Sequence, residues 1–194
     1  MQRIGIFGGT FDPPHVGHLI AAEMARDAYA IERMLFVPAA HSPLKASEKA
    51  TPVEHRLAMT ELLVAGNTNF EVSDIELKRE GTSYTIDTLR ALQHLNPDSA
   101  LFLFIGMDNA ARFQQWKDPE EVSKAAMVVA LPRRGFEFNE IPDEIRYLLE
   151  VFPIPLIEVS STEIRERVRS GKTIRYLVPP AVEQYIREKK LYLA

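Results

Sequence analysis

Gly8-Gly9-Thr10-Phe11-Asp12-Pro13-Pro14-His15-Val16-Gly17-His18-Leu19 is the stretch that decides the fold. It follows the apolar run Ile4, Ile6, Phe7, which reads as a strand, and opens an apolar-periodic segment that reads as a helix. A glycine-rich turn between strand and helix lets backbone N–H groups approach a phosphate, and the helix N-terminus favours its negative charge. His15 and His18, three residues apart, are expected on one face of the first helical turn. Pro13 and Pro14 suit a helix start, where a missing N–H costs nothing. Gly17 between the histidines is expected to leave room for a ligand against the helix backbone. The dinucleotide pattern G-x-G-x-x-G is absent, which argues against a dehydrogenase.

Outward from this run, strand-like and helix-like segments alternate, the pattern of a parallel sheet wrapped by helices. Helices are predicted at 16–30, from a Thr51-Pro52-Val53-Glu54 capping box to Gly66, and from a Thr82 or Ser83 cap to Leu95. Further helices are predicted from an Asp118-Pro119-Glu120-Glu121 capping box, over 160–170 and over 181–190. Strands are predicted at 33–38, 70–75, 100–105, 127–131 and 155–159, with a loop over 39–50 and a peripheral loop and helix over 135–150. The expected fold is α/β, a Rossmann-like doubly wound parallel sheet with helices on both faces, in a single domain spanning 1–194. Ligands bind beyond the carboxyl ends of such strands, and the polar clusters at 8–18, 39–45, 106–108, 132–135 and 160–165 all fall there.

Composition narrows the function. The chain of 194 residues has 46% hydrophobic residues, an ordinary globular composition with enough length for a core. A net charge of −4 argues against a nucleic-acid partner, so an anionic substrate must be met by locally placed bases. The absence of cysteine excludes disulfides, thiolate metal sites and thiol nucleophiles. No apolar stretch approaches the ~20 residues of a bilayer span and no leader precedes the first strand, so no membrane partner and a cytoplasmic location are expected.

Four other clusters carry two readings each. Ser160-Ser161-Thr162-Glu163-Ile164-Arg165 is either a plain helix cap with a Ser160–Glu163 box or a phosphate site, where Arg165 adds a planar, permanently charged fork. Lys45 and Arg56 are, by residue type, solvated surface charges. Gly81-Thr82-Ser83-Tyr84-Thr85 is a hydroxyl-rich helix start, suited to capping or to a carboxylate. Trp116, the only tryptophan, reads by default as core.

The opening run resembles the H-x-G-H signature of the nucleotidyltransferases, and its G-G-T-F-D-P-P-H-x-G-H form resembles the bacterial nicotinate-mononucleotide adenylyltransferases. Thr in place of His15 would resemble the phosphopantetheine adenylyltransferases instead. The resemblance implies that Gly8, Gly9, Thr10, Phe11, His15 and His18 cradle ATP, and that Ser160, Ser161, Thr162 and Arg165 form the second, S-S-T-x-I-R signature on its phosphates. Gly106 and Asp108 match the family's Gly-x-Asp ahead of a Trp-Lys pair, with Met107 where Ala is usual, and are assigned to ATP. Lys45, Arg56, Ser83, Tyr84, Thr85 and Trp116 are assigned to the mononucleotide, the 81–89 segment bordering its pyridine carboxylate. Arg133-Arg134-Gly135 departs from the usual Arg-Pro-Gly, which leaves both arginines as candidates.

What the resemblance implies is adenylyl transfer from ATP to nicotinate mononucleotide, with His15, His18 and Arg165 as the catalytic donors. The attacking phosphate is already ionised near neutral pH, so no side-chain nucleophile is needed. Magnesium is expected as a cofactor held mainly by the ATP phosphates, with no protein metal ligands. Phosphopantetheine adenylyl transfer and a non-catalytic nucleotide sensor are the alternatives, and a homodimer stays open.

Overall fold

The computed structural model describes residues 1–40, 50–79 and 81–193. In chain order the elements are β1 (Gln2–Gly9), α1 (Val16–Ala28), β2 (Arg33–Pro38), α2 (Val53–Val64), β3 (Phe70–Val72), α3 (Thr85–Leu95) and β4 (Ser99–Gly106). They continue with α4 (Met107–Ala110), α5 (Pro119–Ala125), β5 (Met127–Leu131), α6 (Asp143–Arg146), β6 (Glu150–Val151), α7 (Ser161–Arg169) and α8 (Pro180–Glu188). The six strands form one sheet in the order β3-β2-β1-β4-β5-β6, and every neighbouring pair is parallel. The doubly wound α/β expectation is met. Strand order reverses between β1 and β4, and a crevice opens at their carboxyl ends.

Strict alternation of side chains builds a core on each face. Met34, Phe36, Phe102, Phe104, Val129 and Leu131 point to one face, where Ala22 and Ala25 of α1, Met59 and Leu63 of α2, Ile164 of α7 and Val182 and Ile186 of α8 cover them. Ile4, Ile6, Leu35, Val37, Leu101, Leu103 and Val128 point to the other, under Ile86, Leu89 and Leu92 of α3 and Val122 of α5. Because both faces are buried, β4 reads in sequence as an almost continuous apolar run rather than an alternating one. Among the described residues no helix is long and apolar enough to cross a membrane.

Several boundaries depart from the sequence reading, each for a local reason. Gly8 and Gly9 are not a turn but the last rungs of β1, aligned with Val37 and Pro38 of β2. The predicted strand at 155–159 does not form. Pro153 and Pro155 lack the N–H that a ladder requires, so pairing ends after β6, with Phe152 N–H still donating to the Ala130 carbonyl. The third strand stops at Val72 rather than Ile75, where the chain bends into turns anchored on the Asp74 carbonyl. Three of the four expected caps make no side-chain bond. Pro52 stands at the N-cap of α2, Tyr84 at that of α3, and Asp118 precedes α5 in a left-handed conformation, all without a side-chain cap bond. Ser160 alone caps as read, its Oγ accepting from the Glu163 N–H at 3.1 Å.

Arg56 overturns its reading as a surface charge, being only 3% exposed. Its Nε donates to the Thr51 carbonyl at 3.0 Å, and one terminal nitrogen donates to the carbonyls of Thr10 and Ala39, both at 2.8 Å. Burial draws its pKa down, and the Asp12 carboxylate opposes that shift. The side chain thus ties three loop segments together above the sheet. Arg56→Met should strip donors from three carbonyls and cost about 3 kcal/mol of folding stability. Urea denaturation measures this, and a loss below about 1 kcal/mol would show that the carbonyls do not depend on the guanidinium.

Candidate active site

The crevice is a cleft of about 1560 Å³. Gly8, Gly9, Thr10, Phe11, His15, His18, Arg56, Ser83, Tyr84, Thr85, Gly106, Trp116, Arg133, Arg134, Ser160, Ser161, Thr162 and Arg165 all line it. Residues read from widely separated segments of the sequence therefore converge on one concavity. Asp108 stands just behind the wall, next to Gly106, and Lys45 lies outside the described residues.

At the floor, β1 ends and the chain turns through Thr10–Pro14 into α1. His15 is the N-cap of α1 in an extended conformation rather than a residue of its first turn, and His18 is the third helical residue. The two rings nevertheless meet, stacked with centroids 3.7 Å apart and planes 27° apart. The His15 N–H donates to His18 Nδ1 at 3.1 Å, so in the neutral ring the proton of His18 resides on Nε2. Phe11 and Phe7 pack edge-on against His18, with centroids 5.1 and 6.2 Å away, and hold its plane. Phe11 adopts a left-handed φ of 52° to bury its ring beside Phe36.

Gly17 has a second duty beside the one the sequence suggests. A Cβ there would come within 3.0 Å of His15 Nδ1, so the missing side chain makes room for the histidine ring, and Gly17 also lines the cleft. Gly8, by contrast, has open space where a Cβ would stand, and it faces the cleft.

His15 is 7% exposed, and its Nδ1 is buried without a partner. Burial, and secondarily the positive charge of Arg133, lower its pKa from 6.5 to about 4. The ring is neutral at physiological pH, and an anion arriving beside it would pull the pKa back up.

α7 closes the cleft from the opposite side. Ser161 Oγ donates to the Pro13 carbonyl at 2.8 Å, and Arg165 donates to the Asp12 carbonyl at 2.8 Å and to Thr162 Oγ1 at 3.3 Å. Arg165 is therefore braced against the loop it faces, with one of its two terminal nitrogens on that carbonyl. Arg133 donates to Asp108 Oδ2 at 2.9 Å, whereas Asp108 Oδ1 is buried without a partner. Arg134 reaches Glu158 at 3.4 Å, with both side chains more than half exposed. The two arginines left open by sequence thus separate. Arg133 points to the Gly106–Asp108 and His15 end, and Arg134 sits at the rim.

The far end of the cleft is built by the start of α3 and the segment around Trp116. Ser83 Oγ and Trp116 Nε1 are buried without partners. Phe113 backs the Trp116 ring at 5.2 Å. Lys117 sits 4.6 Å above the Tyr84 ring and reaches Asp87 at 3.4 Å, joining this segment to α3. The sequence reading assigned no role to Lys117, although the Trp-Lys pair pointed to it. It also missed Asp12, which lines the cleft within the quoted run itself.

Residues 6–167 match the family model described as cytidylyltransferase-like. The chain is 40% identical over 196 residues to a protein of Salinibacter ruber named "Probable nicotinate-nucleotide adenylyltransferase", covering 98% of each. It is 44% identical over 192 residues to a protein of the same name in Geobacillus thermodenitrificans, covering 99% of this chain and 87% of the other. The chain belongs to the nicotinate-nucleotide adenylyltransferase family. Its fold matches that of the Plasmodium falciparum nicotinic acid mononucleotide adenylyltransferase complexed with NaAD, with a TM-score of 0.81 at 20% identity, covering 99% of this chain and 98% of that one. The same Plasmodium protein complexed with APC matches with a TM-score of 0.79, again at 20% identity with 99% and 98% coverage.

Membership in this family raises the question of a divalent metal. Among the described residues no group of three or more His, Cys, Asp or Glu is placed to hold one.

The buried neutral histidine has a consequence for acid stability. The unfolded chain protonates His15 near pH 6.5, but the native state resists until about pH 4. The unfolded state therefore binds more protons across that window, and native stability falls as pH drops from 6.5 to 4, then levels off. This contribution should amount to about 3 kcal/mol. His15→Asn should flatten that part of the slope in urea unfolding at pH 7 and pH 4.5. Parallel losses in variant and wild type would show that native His15 titrates normally.

Proposed function

We propose that this chain transfers the adenylyl group of ATP to nicotinate mononucleotide, giving deamido-NAD and pyrophosphate. The observation that carries the reading is the stacked His15–His18 pair beside the open Gly8 floor, faced across the cleft by Ser161, Thr162 and Arg165. A mononucleotide phosphate oxygen attacks the α-phosphorus of ATP. The new P–O bond forms as the bond to the β-phosphate bridging oxygen breaks, and pyrophosphate leaves with both bond electrons. No proton need be removed from the attacking phosphate, whose second pKa is about 6. The protein's task is to align the two phosphates and to receive charge developing on the α-phosphate and the leaving group.

In this reading His18 donates from Nε2–H toward the α-phosphate, its tautomer held by the His15 N–H. His15 enters neutral and becomes cationic as the triphosphate replaces its lost water. Arg165 and the Thr162 hydroxyl grip the outer phosphates while Ser161 braces the facing loop, and Arg133, with Gly106 and Asp108, completes the ATP side. Magnesium accompanies the triphosphate and offsets its charge. ATP and nicotinate mononucleotide are the partners, and the cytoplasm is the setting.

The mononucleotide lies toward Ser83, Tyr84, Thr85 and Trp116. A carboxylate at the start of α3 gains from the helix dipole by up to ~2 kcal/mol when partly buried, and it accepts from the unpaired Ser83 hydroxyl and Trp116 N–H. A carboxamide would set its NH₂ against those donors and leave groups unpaired at about 1–3 kcal/mol.

Pyrophosphate release with nicotinate mononucleotide, its amide and phosphopantetheine tests the reading. Nicotinate mononucleotide should be used at least about tenfold more efficiently than the amide, about 1.4 kcal/mol of discrimination. Turnover of phosphopantetheine alone, or ATP binding without turnover of any acceptor, would replace this function with the rival transferase or a sensor. In the same assay His18→Ala should lose about 10²–10³ in kcat while remaining folded. A folded variant within threefold of wild type would remove His18 from the chemistry.

A further inference from the structure

Asp12 is the most heavily tied residue of the loop beneath the proposed ATP site. Its side chain is 6% exposed, with Oδ2 accepting the Thr51 N–H at 3.0 Å and Oδ1 accepting the phenol of Tyr192 at 2.7 Å. Its carbonyl accepts Arg165. Tyr192 comes from the opposite end of the chain, beyond α8, where the backbone takes a left-handed φ of 63°. For a non-glycine residue that conformation carries a cost, which something in the fold must offset. The phenol is also within 3.9 Å of Met59 Sδ, on the α2 face.

Burial, and then the Asp12 charge, push the Tyr192 pKa well above its ordinary value, so the hydroxyl is protonated at neutral pH. Tyr192 does not itself line the cleft, whereas Asp12 does. The phenol therefore reaches the site through its bond to Asp12, with the cleft-lining Thr51 beside it. Between Gly9 and His15 the chain lies outside both β1 and α1, so side-chain bonds set its path. Of these, the phenol–carboxylate bond is the one supplied by the C-terminal tail.

We propose that Tyr192 is a positioning residue for adenylyl transfer: its phenol holds the Asp12 carboxylate and so sets the Thr10–His15 loop and Arg165 in the geometry that receives the ATP phosphates. This rests on the function proposed above, but its binding arm does not require turnover. Tail docking and ATP binding then favour one another, and the coupling is reciprocal.

The test uses the full chain carrying Tyr192→Phe, Asp12→Asn or both. Tyr192→Phe keeps the ring and loses only the hydroxyl. It should weaken ATP binding, read by calorimetry without acceptor, and lower kcat by about tenfold in total, about 1.4 kcal/mol. KM for nicotinate mononucleotide should stay within twofold. The double variant should lose less than the product of the two single losses, because both substitutions act on the Tyr192–Asp12 bond, while Asp12→Asn also alters the Thr51 contact. In the wild-type protein, adding Mg-ATP should slow amide hydrogen exchange over residues 188–193, an arm that holds even if a variant fails to fold. Unchanged ATP affinity and kcat in folded Tyr192→Phe, equal losses for both substrates, multiplying losses in the double variant, or unchanged tail exchange on ATP addition would each overturn the proposal. A wild-type chain that binds ATP but transfers nothing would instead sink the function and leave the positioning role to be judged on binding and exchange.

Discussion

In the proposed reaction the Thr10–Pro14 loop receives polyphosphate and cannot leave its carbonyl oxygens facing the anion, and this constraint governs that end of the molecule. The carbonyls of Thr10, Asp12 and Pro13 are each taken by a protein donor: Arg56, Arg165 and Ser161. Those donors arrive from α2 and α7, elements far apart in sequence, and each is placed by the core beneath it. Met59 and Leu63 seat α2 on the sheet, and Ile164 seats α7. Packing of the hydrophobic layer is thus the means by which the polar loop acquires its shape.

The parallel sheet supplies the other half of the arrangement. β1 lies between β2 and β4, and the chain departs from its carboxyl end toward one face while β4 delivers Gly106 and Asp108 beside it. The histidine pair is economical: one backbone N–H orients His18, one missing Cβ admits His15, and two phenylalanine edges fix the plane. Burying His15 neutral costs acid stability, and the same burial makes its protonation responsive to an arriving anion.

Arg56 and Arg165 show how similar charges part company in a fold. Both contact carbonyls of the same loop, but Arg56 is enclosed and directs three hydrogen bonds onto backbone, whereas Arg165 remains at the cleft wall. Both line the cleft, the first as an enclosed strut and the second as a strut at its wall. Asp12, between them, carries the compensating negative charge and links the loop to the C-terminal tail through Tyr192.

The sequence by itself determined the doubly wound sheet, the position of the crevice and most of the residues that meet there. Those features depend on local signals: apolar runs of strand length, helical periodicity, and a glycine-to-histidine run at a strand end. It also specified the Ser160 cap, because a cap bond spans three residues. Only the tertiary structure decided the role of Arg56, the separation of Arg133 from Arg134, the service of Gly17 to His15, and the tie between Tyr192 and Asp12. Each of these rests on a contact across the fold, or on a ring orientation that spacing does not encode. The strand expected at 155–159 fails for a related reason: Val159 packs against the core but Leu156 is exposed, and pairing needs N–H donors that Pro153 and Pro155 do not have.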